Sequence, residues 1–240
     1  MKILALDSSG LVASAAVVED HITVAEYTIN HKKTHSQTLL PMLDEIRRMT
    51  ELDLSTIDAI AVACGPGSFT GLRIGSATAK GLGLALDIPI IPVPTVDSLA
   101  YNLYGSEKLI CPLMDARRNQ VYTGLYTFEG DDLVTLAAQC AVDISEIIDK
   151  INEIGKEVIF LGDGVSVYKD KIKELTQAAF YLAPACCNRQ RAACVASLGE
   201  RLYQLGKVQS AAEHAPDYLR LSQAERERME CQKQSSEGSI

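Results

Sequence analysis

The chain spells one order of secondary-structure elements twice. Residues 3–6 are a continuous apolar run closed by Asp7-Ser8-Ser9-Gly10, and apolar stretches at 12–18 and 22–27 follow across a polar turn, which predicts three consecutive strands. A helical stretch over 36–48, a strand over 59–63, a helix over 69–86, a strand over 88–93 and a short helix over 95–104 complete the first series. Beyond Gly105 strands are expected at 109–114, 121–128 and, more weakly, 139–142. A helix then starts after Asp143, whose side chain caps the first turn while Glu146 reaches back, and it stops at Gly155. A strand over 158–161, a helix over 166–177, a weak strand over 180–182 and a long helix over 188–205 restore the same order.

Such a duplication, strand-strand-strand-helix-strand-helix-strand-helix in each half, implies two mixed sheets with antiparallel neighbours followed by crossover helices. The fold class expected is α/β, with two ribonuclease-H-like subdomains as in actin-like ATPases and sugar kinases (the ASKHA architecture). The first subdomain would span 1–105 and the second 106–228, and the polar tail at 229–240 is expected to be disordered. A single doubly wound α/β domain is the alternative.

Composition narrows the function. Lys and Arg number 23 against 31 Asp and Glu, a net charge of −8, the wrong sign for a chain that grips nucleic acid unaided. Seven cysteines, without a C-x-x-C pair, do not form a disulfide framework and fit a reducing cytoplasm. No apolar run approaches the length of a signal-peptide core or a membrane span, so a cytoplasmic location is expected.

Two segments invite a nucleotide reading. Cys64-Gly65-Pro66-Gly67-Ser68-Phe69-Thr70-Gly71-Leu72-Arg73 joins a strand to a helix, where backbone N–H groups can hold an anion. It lacks the Gly-Lys-Ser/Thr ending of a P-loop, and its glycines miss the dinucleotide spacing by one residue. Taken alone, the segment is better read as a tight strand-to-helix turn in which glycines permit positive φ and close packing. In actin-like ATPases each half supplies a turn between its first two strands, and the two clasp the phosphates. Asp7-Ser8-Ser9-Gly10 resembles that turn. The second, Asp115-Ala116-Arg117-Arg118-Asn119-Gln120, has no glycine and two arginines instead, read as solvated charges. Asp7, Ser8 and Ser9 are therefore read as a vestigial nucleotide site.

The helix over 36–48 carries Leu39, Leu43 and Ile46 on one face, flanked by Leu40 and Met42, a stripe wide enough to serve the core or a partner helix. Pro41 requires that the helix start near Thr38 or bend. His31 and His35 stand four apart, but no further ligand completes a metal set, and both are read as surface residues.

Together, residues 2–9, His35-Ser36-Gln37 through Leu40-Pro41, the glycine-rich segment, Asp115-Ala116-Arg117 before Val121-Tyr122, and Pro216-Asp217-Tyr218-Leu219-Arg220 with Gln223-Ala224-Glu225 resemble the TsaB family, formerly YeaZ. The resemblance implies a subunit that helps place N6-threonylcarbamoyladenosine at position 37 of transfer RNAs reading codons that begin with A. A homologous catalytic subunit, TsaD, transfers the group. It also implies partnership with the P-loop ATPase TsaE, homodimers when alone, contact with transfer RNA only through the complex, and no cofactor in the isolated chain. By the same resemblance the partner interface would be Gln37, Leu39, Leu40, Met42, Leu43, Ile46, Phe69 and Arg73. The catalytic relative binds its metal through His-x-x-x-His after the strand that here is 88–93. The matching positions are Thr95 and Leu99, which cannot form that site. No catalytic residue is expected. An actin-like kinase or carbamoyltransferase built on Asp7, Ser8 and Ser9 is the competing reading, and a metallopeptidase ranks last, since four histidines provide neither H-E-x-x-H nor a Ser-His-Asp set.

Overall fold

The computed structural model describes residues 1–31 and 33–219. The expected tail at 229–240 lies outside the described residues. Strands β1 (Lys2–Asp7), β2 (Ala13–Glu19) and β3 (Ile22–Ile29) form an antiparallel meander, followed by α1 (His35–Met49), β4 (Ala59–Gly65), α2 (Phe69–Leu86), β5 (Ile90–Pro94) and α3 (Thr95–Ala100). The second series is β6 (Leu109–Asp115), β7 (Gln120–Glu129), β8 (Asp132–Asp143), α4 (Ile144–Ile154), β9 (Val158–Leu161), α5 (Gly164–Val167), α6 (Lys169–Leu175), β10 (Phe180–Leu182) and α7 (Ala192–Gln204).

The two sheets have the same topology. The first runs β3-β2-β1-β4-β5 and the second, read in the matching direction, β8-β7-β6-β9-β10. In each the first strand pairs antiparallel with the second and parallel with the fourth. This is the duplicated ribonuclease-H-like α/β fold expected from the element order. Central β1 is buried on both faces, which is why it is a continuous apolar run rather than an alternating one.

Helices and sheets stack in five layers. α1 and α2 cover the outer face of the first sheet through Leu39, Met42, Ile46 and Ala79 against Leu4, Leu6, Ala15 and Ile60. α4 and α6 cover the outer face of the second through Ile147, Ile151 and Ile172 against Leu109, Leu113 and Phe160. Between the sheets lies one shared core, in which α3 and α7 pack with Ile3, Ala5 and Val93 on one side and Ile110, Tyr126 and Leu161 on the other.

Three elements depart from expectation. β8 is a twelve-residue strand rather than four, paired along β7 with register shifts around Leu125 that break its alternation. The single helix expected over 166–177 is divided at Tyr168, whose hydroxyl reaches the Asp115 carboxylate at 3.2 Å. α7 starts at Ala192, not 188. Its first N–H groups are met from across the molecule, Ala192 N donating to Ser14 Oγ (2.9 Å) and Ala193 N to Glu26 Oε1 (3.0 Å). The Asp143–Glu146 capping box and the left-handed Gly155 stop of α4 are as expected. α1 begins at His35 and continues through Pro41, so the proline sits inside the helix.

Candidate functional site

The chain turns sharply where β1 ends. Ser9 donates twice to the Asp7 carboxylate, from N (2.8 Å) and from Oγ (2.6 Å), and fixes the turn. Asp7 is fully buried, and its Oδ2 has no hydrogen-bond partner. Burial pushes its pKa up to about 6, against the opposing pull of the Ser9 hydrogen bonds and of nearby His35.

The glycine-rich loop lies directly on this turn. Ser68 N donates to Ser9 O (2.6 Å), and Ser8 Oγ donates to Gly71 O (2.8 Å). A Cβ added at Gly67 would stand 2.3 Å from Ser9 O, and one at Gly71 would stand 2.0 Å from Ser8 O. These glycines are thus used to bring α2 against the chain's own backbone, the close-packing reading rather than the anion reading. Gly65, at φ +135°, admits the chain's later segment in the same way, with Asp217 O 2.0 Å from where its Cβ would be.

On its other side the turn meets Gln190. The amide of this buried residue packs on Gly10, where an added Cβ would lie 2.6 Å from Nε2, and neither of its polar atoms has a partner. Gln190 ends a strap, 188–190, that ties the halves together. Gly162 N donates to Asn188 O (3.1 Å), Arg189 Nη1 donates to Gly162 O (3.0 Å), and Asn102 Nδ2 donates to Arg189 O (2.9 Å).

The second turn has a different build. Arg117, Arg118 and Asn119 all have positive φ, a conformation that glycine adopts with less strain. Arg117 N donates to Asp115 Oδ1 (2.9 Å). Both arginines are exposed beside a groove of about 500 Å³ that Asp115, Tyr168 and Lys171 also line.

The positions that match the catalytic relative's histidines are occupied by structural side chains. Thr95 Oγ1 accepts from Gly65 N (3.1 Å), and Leu99 is buried in the core between the sheets. These two residues do not fit a metal. Among the described residues no group of three His, Cys, Asp or Glu side chains could hold one. His35 is not a free surface residue as expected. Its Nε2 pairs with the Gly10 carbonyl at 2.8 Å, and because a carbonyl only accepts, that nitrogen carries the proton.

The expected interface residues divide between interior and surface. Leu39, Met42 and Ile46 are buried in the outer core of the first sheet, which corrects their assignment to a partner-facing surface: they hold α1 on β1, β2 and β4. Gln37 and Leu40 are exposed, Leu40 at 58%, and Leu43 is half-buried. On neighbouring α2, Thr70, Arg73, Ala77, Gly81 and Leu84 form an exposed stripe, and a Cβ at Gly81 would touch nothing within 4 Å. Phe69 and Arg73 are engaged within the chain. The Arg73 guanidinium lies 4.0 Å over the Phe69 ring, Phe69 stacks on Tyr218 at 4.6 Å, and Arg73 Nε donates to Tyr218 Oη (3.3 Å).

A local sequence pattern marks the turn at Asp7, Ser8 and Ser9, whereas none marks Gln190, Ser14 or Glu26. Asp217 and Tyr218 stand out in the sequence only through the family resemblance. No motif marks residues that act across more than a hundred positions. Gly65 with its neighbouring glycines was the one usable signal that another backbone must come close.

Comparison with known proteins agrees with this arrangement. The family model of TsaD, tRNA N6-adenosine threonylcarbamoyltransferase, matches residues 23–228. The tRNA threonylcarbamoyladenosine biosynthesis protein TsaB of Bacillus subtilis is 34% identical over 235 residues, covering 97% of this chain and 100% of that protein. The Escherichia coli protein of the same name is 31% identical over 228 residues, covering 92% and 95%. YeaZ from Pseudomonas aeruginosa superposes with a TM-score of 0.75 at 26% identity, over 91% of this chain and 99% of that one. The TsaD model marks homology to the transferase, the full-length relatives narrow it, and the chain belongs to the TsaB (YeaZ) family of tRNA threonylcarbamoyladenosine biosynthesis proteins.

Proposed function

We propose that this chain is a noncatalytic subunit in the formation of threonylcarbamoyladenosine at position 37 of transfer RNA, docking on a TsaD-like catalytic homologue in a complex that a TsaE-like ATPase joins. Alone, it pairs with a second copy through the same surface. It works in the cytoplasm, needs no cofactor of its own, and meets transfer RNA only through the complex. The observation that carries the reading is the use of the inherited site for packing: Gln190 lies on Gly10, the glycine loop on Ser8 and Ser9, and Leu99 in the core. The competing reading, an actin-like ATP-dependent enzyme, would need the β1 turn open to phosphate.

The surface that supports docking is the outer side of α1 and α2. Leu40 and Leu84 are exposed apolar residues, and the small exposed Ala77 and Gly81 of α2 would let another helix approach closely. Leu40→Asp and Ala77→Arg place a charge and a bulky group there without touching the core. With a TsaD-like partner from the same organism, each should weaken the heterodimer at least about tenfold, roughly 1.4 kcal/mol. Modification of transfer RNA in a reconstituted reaction should fall in parallel, and the circular dichroism and melting of the isolated chain should stay unchanged. Two folded variants that assemble with wild-type affinity would overturn the interface. Turnover by the isolated chain with ATP would overturn the noncatalytic reading.

A further inference from the structure

The described cysteines are all free, and they fall into two groups. Cys64, Cys111 and Cys194 are held in apolar surroundings that push each thiol up to about 12, and burial also raises Cys140. Such thiols are poor nucleophiles near neutral pH. Cys186 and Cys187 stand apart. They close an exposed turn between β10 and α7, in which Cys187 N donates to Pro184 O at 2.9 Å. Neighbours in an extended segment point to opposite faces, but this turn brings the two side chains to one side with their sulfurs 3.6 Å apart. Cys186 is exposed and Cys187 partly so. Burial and the neighbouring Cys186 sulfur raise the Cys187 thiol, and Arg191, itself paired with Glu26 through Nε at 3.0 Å, pulls it the other way.

We propose that Cys186 and Cys187 form a reactive dithiol that a low-molecular-weight disulfide oxidises to a vicinal disulfide. Cys186, as its thiolate, attacks one sulfur of the small disulfide; the S–S bond breaks, one small thiolate leaves, and a mixed disulfide forms on Cys186. Cys187 loses its proton to solvent, attacks Cys186 Sγ and expels the second small thiolate. The protein gives up two hydrogens, and the oxidant leaves as two small thiols. Contact between the sulfurs makes the second step intramolecular, so closure should outrun the encounter of a second oxidant molecule with Cys187. The ring that results fixes the peptide between the two cysteines. The next residue, Asn188, begins the strap whose carbonyl holds Gly162 and whose far end lies on the Asp7 turn. Oxidation at this exposed turn would therefore be felt at the joint between the sheets.

The experiment uses the full chain, reduced, freed of reductant and exposed to glutathione disulfide, with remaining thiols trapped by iodoacetamide and peptides mapped by mass. The peptide holding both residues should return two hydrogens lighter than the dithiol, carrying neither trapping agent nor glutathione, with two equivalents of glutathione released. Cys187→Ser, which keeps the more exposed thiol, should stop at glutathione on Cys186. Phenylarsine oxide tests the geometry without oxidation, because it needs two adjacent thiols: it should protect both cysteines in the wild-type chain, and each serine variant should lose at least about tenfold in affinity. Glutathione retained on Cys186 while Cys187 is still trapped would overturn the proposal. So would a disulfide mapped between Cys187 and Cys194, or arsenical binding unchanged in both serine variants.

Discussion

Asp7 shows what a single buried carboxylate, hydrogen-bonded through only one of its oxygens, does to the stability of a fold. Its folded pKa of about 6 lies above the ordinary 3.8, so between these values the native state holds a proton that the unfolded chain has released. Below that window the residue is neutral in both states, and above it the fold carries a buried charge. Stability therefore falls as pH rises through the window, with Asp7 contributing about 3 kcal/mol at most. Asp97 and Asp163, also raised by burial, add slopes of the same sign. Denaturant melts of wild type and Asp7→Asn from pH 3.5 to 7.5 should diverge across this interval and run parallel above it; parallel curves throughout would place the raised carboxylate elsewhere. Asp7, Ser8 and Ser9 were legible because an acidic residue, two hydroxyls and a glycine closing a first strand form a local pattern. Gln190 was not, because its meaning comes from contact with Gly10, a residue 180 positions earlier that no local spacing marks.

At the level of elements, two glycines of α2 make opposite forecasts. Gly71→Ala drives a methyl group into Ser8 O and must lift the helix from the β1 turn, a cost of about 3 kcal/mol. Gly81→Ala meets open space and replaces a poor helix former with the best one, a gain of about 0.5–1 kcal/mol. The Tm of the isolated chain should therefore move down in the first variant and up in the second. α2 has the bounds expected of it, and in the structure the Ser68 side chain caps its first turn by accepting from Gly71 N. The misread elements share a cause. β8 carries small and polar residues whose alternation is lost at a bulge, and α5 and α6 are parted by Tyr168, which follows a tertiary hydrogen bond rather than helical propensity. The stripe on α1 was equally ambiguous: Leu39, Met42 and Ile46 face inward and Leu40 outward, yet an apolar period cannot say whether its cover is the same chain or another.

For the whole molecule, the duplicated order made the two sheets legible but concealed that they do not part cleanly at Gly105. α7 belongs to the second series, yet it packs on the first sheet, where Gly199 lies so close that an added Cβ would be 2.9 Å from Ala61 Cβ. The segment after it also returns to the first sheet, with Gln209 and Ile90 exchanging backbone hydrogen bonds. Residues 1–105 made alone should thus remain unfolded or aggregate, with the inner faces of Ile3, Ala5 and Val93 bare, and adding 106–219 should restore one cooperative transition. A soluble, dispersed spectrum from the short fragment would show that the first sheet needs no cover from α7. The position of α7 also sets a timetable for synthesis. The first sheet leaves the ribosome early, but the helix that seals it is made only after the whole second sheet, so the nascent chain must hold an unsealed apolar face for nearly half of its elongation. That interval is when chaperones that shield nascent chains should matter most for this protein, and when a slow stretch of codons between the sheets would do the most harm.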